Sequence, residues 1–234
     1  MNIFDCHIHV QEGLDGYNMD MINGNVIFNS ISDYTNFSAK YPALFHSLIF
    51  DTSVDLQFYN ELIINKKIQA IKIHSRLQKI SEDKYVGLIS LLQKLDTNIP
   101  IIYDAFYFGS DLKYQPSLSG LIKLIKAFPK RKFIVAHAGG YELLKYFFHL
   151  REFNNVGFDL SFSLQYLYDT SLSQDLMKLL KYTDNHKIFY GSDYPFADPK
   201  LQVENLFFYF DKLGFDSKPI DGIMNTNWLN FTEG

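Results

Sequence analysis

Short apolar runs alternate along the chain with longer segments in which apolar residues recur at helical spacing. The short runs predict strands at Asn2–Val10, Asn25–Ser30, Leu44–Phe50, Gln69–Ser75, Ile99–Phe106, Lys132–Ala138, Asn155–Ser161 and Lys187–Asp193. Helical spacing predicts helices over Val54–Lys66, Tyr85–Leu95, Leu118–Phe128, Tyr141–Glu152, Leu172–Tyr182 and Leu201–Leu213. Runs such as Phe133-Ile134-Val135-Ala136 are apolar at every position, which suits a parallel strand covered on both faces. Strands and helices alternate with no repeat, linker or low-complexity tract between them. This predicts an α/β fold, a (β/α)8 TIM barrel in one domain over 1–234. An open doubly wound sheet is the other arrangement the alternation permits. The segment 11–24 reads as a long loop, and Asp198-Pro199 and Lys218-Pro219 as helix entries.

Composition narrows the function more than the fold. The 22 Phe and 16 Tyr supply wide rings to fill the space between layers. A net charge of −4 argues against a nucleic acid or an anionic membrane as partner. Cys6 is the single cysteine, so no internal disulfide forms. Met1–Val10 lacks the basic and apolar regions of a signal peptide, and no apolar run nears the roughly 18–20 residues of a membrane span. The expectation is a cytoplasmic protein acting on a small-molecule substrate, with a homodimer left open.

A barrel of this kind carries its chemistry at the C-terminal ends of its strands. The first strand ends Asp5-Cys6-His7-Ile8-His9, and side chains two apart share a face, so His7 and His9 form half a metal site. The sixth ends Ala136-His137-Ala138-Gly139-Gly140, which places His137 at the rim before a tight turn. The eighth ends Gly191-Ser192-Asp193-Tyr194-Pro195. Asp193 there can hold a cation or take a proton from water, though an aspartate at a turn is also a common cap. On the fourth, Lys72 and His74 share a face opposite Ile71 and Ile73, and Arg76 follows. These three can grip an anionic substrate group, with His74 as a metal ligand and carbamylation of Lys72 as further options. His46, His149 and His186 show no such pattern and read as structural or surface residues.

Together these motifs resemble the amidohydrolase superfamily, in its amidohydrolase-related branch. Asp5-Cys6-His7-Ile8-His9-Val10 is similar to the family's opening D-x-H-x-H. Ile71-Lys72-Ile73-His74, Ile134–Gly140 and Ile188–Phe196 are similar to its fourth, sixth and eighth strand ends, and Ile223–Phe231 to its closing helix. The resemblance implies a divalent metal, often zinc. His7 and His9 would be ligands, Asp193 both ligand and proton acceptor, and His137 would bind a second metal or polarise the substrate. Where the family places a histidine at the fifth strand end, this chain has Asp104, which can bind zinc or manganese through oxygen.

The leading expectation is hydrolysis of an amide, lactone or ester bond of a small anionic substrate by metal-activated water. Non-oxidative decarboxylation of an aromatic or unsaturated acid stays open, as does a metal-free barrel that only binds. Aromatic loop residues Tyr17, Tyr107, Phe108 and Tyr114 can stack on a planar substrate or pack on their own loops.

Overall fold

The computed structural model describes residues 3–10, 14, 17, 22–95 and 98–233. Among them eight strands run parallel: β1 (Ile3–His9), β2 (Ile22–Phe28), β3 (Phe45–Ile49), β4 (Ala70–Ile73), β5 (Ile101–Asp104), β6 (Phe133–Ala136), β7 (Val156–Asp159) and β8 (Ile188–Phe189). Each pairs with the next in sequence. The two ends of this sheet then meet. Cys6 N–H donates to the Tyr190 carbonyl at 3.0 Å, Asp193 N–H to that of His7 at 2.8 Å and His9 N–H to that of Tyr194 at 2.8 Å. These bonds decide for a closed barrel over the open sheet.

Every expected strand and helix forms, with shifted ends. β2 begins at Ile22, three residues before the expected start, and takes in the end of the segment read as a loop. The rest of that segment, apart from Leu14 and Tyr17, lies outside the described residues, as does Asn2. β6 stops short of its expected end because the chain turns at once, with His137 and Ala138 at left-handed φ values of 58° and 49°. Beyond the ends of β7 and β8, Phe162 and Asp193 take such values too, 61° and 65°. Non-glycine residues in that region carry strain of order 1–3 kcal/mol, and such residues cluster at functional sites.

Helices cover the barrel: α1 (Ile31–Phe37), α2 (Leu56–Ile64), α3 (Ser75–Gln78), α4 (Tyr85–Leu92), α5 (Leu118–Ala127), α6 (Leu143–Leu150), α7 (Ser163–Tyr166), α8 (Ser173–Tyr182), α9 (Pro199–Leu213), α10 (Ser217–Asp221) and α11 (Asn227–Glu233). Asp198 caps α9 by accepting from the amides of Lys200 and Leu201, with Pro199 at its first position, as its dipeptide predicts. Pro219 lies within α10. None of the described helices is long and apolar enough to cross a membrane.

Alternation along the strands divides the interior into two clusters. Phe4, Cys6, Ile27, Ile49, Ala70, Ile102, Ile134, Ala136 and Phe189 fill the barrel, which Trp228 and Phe231 of α11 close from below. Ile8, Ile71, Ile73, Tyr103, Val135 and Phe158 face outward to the helices. β1 breaks the alternation. Its pairing with β2 slips between Asp5 and Ile8, where three steps along β1 oppose two along β2. This bulge lets Cys6 fill the barrel while His7, its neighbour, joins the site above it.

Candidate active site

The strand ends converge on a cavity of about 500 Å³ at the C-terminal mouth of the barrel. His9, Lys72, His74, Arg76, Asp104, His137 and Asp193 all line it. His7 is fully buried just beneath.

His7 and His9 share a face, as the period of two requires, and their Nε2 atoms stand 3.1 Å apart. Asp193 Oδ1 lies 3.5 Å from His7 Nε2 and 3.6 Å from His9 Nε2. Nitrogen and oxygen donors at 2.0–2.2 Å in a tetrahedron are separated by about 3.3–3.6 Å, so this trio fits a divalent ion. His7, His137 and Asp193 also each offer an atom within 4.8 Å of the others, which brings a fourth donor alongside. The buried Nδ1 of His9 has no hydrogen-bond partner, while that of His7 faces Asp159 Oδ2 at 2.5 Å. With its Nδ1–H donating to that carboxylate, His7 presents a bare lone pair at Nε2.

The charges suit such a site. Burial, reinforced by the Lys72 ammonium, holds the pKa of His7 below the ordinary histidine value and that of His9 well below it, so both rings are neutral donors. His137 goes the other way. Burial lowers its pKa, but the carboxylates of Asp193 and Asp104 outweigh burial and leave it raised. Its Nδ1 faces the Ser161 carbonyl at 3.1 Å, and its Nε2 faces Asp104 Oδ2 at 3.3 Å.

Asp104 is ringed by basic side chains. Lys72 Nζ, His74 Nε2 and Arg76 Nη2 each stand 3.5 Å from its oxygens, in addition to His137. These neighbours overcome the effect of burial and hold its carboxyl well below the usual range. The pKa of His74 is pushed down by burial to about 4, against the pull of Asp104. Arg76 reaches from α3 to the cavity wall and stacks over Phe108, 5.7 Å from the ring centre. Lys72 lies deeper, 2.9 Å from His7 Nε2.

Sequence reasoning passed over several residues of the site. Asp159 ends β7 and Ser161 follows two residues on, its hydroxyl touching His7 Nδ1, His137 Nδ1 and Asp159 at 3.1, 3.2 and 2.9 Å. Gly191 makes room for them, since a Cβ there would meet Asp159 Oδ1 at 2.6 Å and His7 Cβ at 2.9 Å. Asp5 ties β1 to β8 by accepting from the amides of His7 and Ser192 and the hydroxyl of Tyr17. Burial raises its pKa to about 6 despite those donors. Phe106, Phe162 and Phe196 line the cavity beside Phe108. Of the other loop aromatics, Tyr17 packs on Tyr194 and Tyr107 on Tyr141. His46 packs between Phe28 and Tyr34, and His149 and His186 are exposed, as expected.

Comparison with known proteins agrees with this architecture. The chain matches solved structures across its whole length at low identity. An uncharacterised TIM-barrel protein from Bordetella bronchiseptica has a TM-score of 0.69 at 13% identity, with 100% of each chain covered. A probable 2-pyrone-4,6-dicarboxylic acid hydrolase from Acinetobacter baumannii, with citric acid bound, has a TM-score of 0.61 at 16% identity, again with 100% of each covered. A dihydroxybenzoic acid decarboxylase from Polaromonas, with bound manganese and the inhibitor 2-nitroresorcinol, has a TM-score of 0.62 at 11% identity, covering 100% of this chain and 97% of that one. No curated protein matches the sequence. At such identities the structures speak for the fold alone. The family model for amidohydrolases matches residues 83–214, more than half of the chain, through β5 to β8 and the Asp193 motif. The chain belongs to the amidohydrolase family.

Proposed function

We propose that the chain is a metal-dependent hydrolase that opens an amide, lactone or ester bond of a small anionic substrate. One observation carries the reading: His7, His9 and Asp193 bring their donor atoms within 3.6 Å of one another beside a cavity walled by Arg76 and His74. The metal would be zinc or, given the carboxylates of Asp193 and Asp104, manganese. A divalent ion held by His7, His9 and Asp193, with His137 and Asp104 alongside, supplies Lewis acidity and a water ionised near neutral pH.

The protein's own groups do the rest. Asp193 takes the proton of the attacking water as its oxygen adds to the carbonyl carbon. It then delivers that proton to the leaving nitrogen or oxygen as the bond breaks. His137, whose pKa the carboxylates of Asp193 and Asp104 raise, supports the oxyanion that develops. Arg76 and His74, with Lys72 behind them, give an anionic group of the substrate its binding wall.

A second reading draws on the frame of Phe106, Phe108, Phe162 and Phe196, which suits a flat ring. In that reading an aromatic or unsaturated acid loses carbon dioxide without hydrolysis. The two part in one experiment. Purified protein is analysed for bound metal and then assayed on lactone, amide and ester panels and on aromatic acids, with Asp193→Asn beside it. Hydrolytic products, cut by about 10²–10⁴ in Asp193→Asn, are expected. Carbon dioxide release without hydrolysis replaces the first reading by the second, and full activity in Asp193→Asn removes that residue from the mechanism.

A further inference from the structure

Lys72 is 1% exposed and reaches from β4 across the barrel to the candidate metal donors. Its Nζ lies 2.9 Å from His7 Nε2, 3.3 Å from His9 Nε2 and 3.5 Å from Asp104 Oδ2. An ammonium carries three N–H donors and no acceptor, and here it meets three acceptors. The match has a consequence for any metal. Each imidazole nitrogen has one lone pair, in the plane of the ring. His7 cannot free a second one, because its Nδ1 is engaged by Asp159 at 2.5 Å. A lone pair that accepts a hydrogen bond from Lys72 is not also bound to an ion.

We propose that the Lys72 ammonium and a divalent cation compete for the same lone pairs of His7 and His9, so that metal binding requires Lys72 to withdraw. The inference rests on the metal reading above and adds a residue that sets affinity from outside the ligand set. Lys72 then acts as an internal counter-ion. It neutralises Asp104 and satisfies both rings, and the metal must displace it. The wall residues offer a place for the withdrawn head, since Asp104 already faces both Lys72 and the cavity. A lysine that itself ligates, directly or as a carbamate, predicts the opposite sign, because its removal deletes a donor.

The test is calorimetric titration of zinc chloride and of manganese chloride into chelator-treated full-length protein, with the fold of each variant checked by circular dichroism. Lys72→Met keeps the length of the side chain and deletes the charge, and Lys72→Arg keeps the charge. Lys72→Met is expected to bind metal at least tenfold more tightly than wild type, and Lys72→Arg no more tightly. Metal binding by wild type with equal or weaker binding by Lys72→Met overturns the competition and leaves the metal reading standing. Absence of binding in all three proteins overturns both. Should Lys72→Met not fold, a crystal structure of wild type loaded with zinc decides. Nζ beyond hydrogen-bond distance of His7 Nε2 supports the inference, and Nζ or a carbamate on the metal overturns it.

Discussion

His7 Nδ1 and Asp159 Oδ2 stand 2.5 Å apart in the interior of the barrel, joining the first strand to the seventh. Each holds the other in one protonation state. Burial raises the carboxyl of Asp159, but the His7 ring beside it, joined by His137 and the Ser161 amide, outweighs burial and leaves its pKa lowered. The ionised carboxylate in turn fixes the ring proton on Nδ1 and directs the Nε2 lone pair to the donor cluster. Asp159 is therefore a positioning residue. Asp159→Asn keeps the shape of the side chain but offers its amide N–H to Nδ1 and moves the ring proton to Nε2. Metal affinity measured by titration should fall about 10–100-fold with the fold intact. Unchanged affinity would show that the His7 tautomer is set elsewhere.

Why the sequence yields His137 and Asp193 but passes over Asp159 is a matter of contrast. A histidine that closes an apolar run stands out, and so does an aspartate among glycine, serine and proline. Asp159 closes Val156-Gly157-Phe158 in the same way, yet the run continues into Leu160 and hides the end of the strand. The left-handed turn that stops β6 leaves no mark in an apolar pattern either, which explains a strand end set too late. Period two correctly turns Lys72 toward the barrel interior. That it falls between His7 and His9 depends on distances across the barrel, and spacing along one strand carries no such information. The aromatic frame is hidden for the same reason, because Phe106, Phe162 and Phe196 come from three separate turns.

Arg76 offers a test of the substrate's charge. Its Nη2 is 3.5 Å from Asp104, longer than a close ion pair, and its head lines the cavity above Phe108. Arg76→Gln removes a charged donor while keeping a polar head. A hydrogen bond to a charged group contributes about 1.5–3 kcal/mol, so KM for an anionic substrate should rise roughly 10–100-fold with a smaller change in kcat. Steady-state kinetics on an anionic substrate and its neutral ester separate the cases. An equal rise for both would deny Arg76 a role in reading charge.

His46 makes stability depend on pH at a place remote from the strand ends. Its ring packs edge-on against Phe28 and Tyr34, and its Nε2–H donates to the Tyr41 carbonyl at 2.9 Å. Burial lowers its pKa below 6.5, against the smaller opposing effect of that bond. Between the unfolded value and the lower folded one, the unfolded chain binds a proton that the folded chain does not. Stability is therefore lost as pH falls through that window and regained above 6.5. In His46→Gln the drop in Tm between pH 7.5 and pH 5.5 should be smaller than in wild type, with the other histidines common to both proteins. An equal drop would clear His46 of the effect.

Two glycines in helices should respond to alanine with opposite signs. Glycine in a helix interior costs about 0.5–1 kcal/mol relative to alanine, so the substitution is favourable wherever a methyl group fits. Gly87, exposed on α4, has nothing within 4 Å of the added carbon, and Gly87→Ala should raise stability by that amount. Gly120 on α5 faces the ring of Tyr85, where the new Cβ would lie 2.5 Å from Cε1 and Cζ. That ring is pinned. Its hydroxyl contacts those of Tyr103 at 2.6 Å and Ser75 at 3.1 Å, so it cannot retreat without breaking a buried network. Overpacking of this kind costs about 1–3 kcal/mol, which exceeds the helix gain. For a chain of this length a change of 1 kcal/mol moves Tm by about 2–4 °C, so thermal melts resolve both effects. Gly120→Ala melting at or above wild type would mean that α5 can move away from α4, and that the contact at Tyr85 is looser than its distances state.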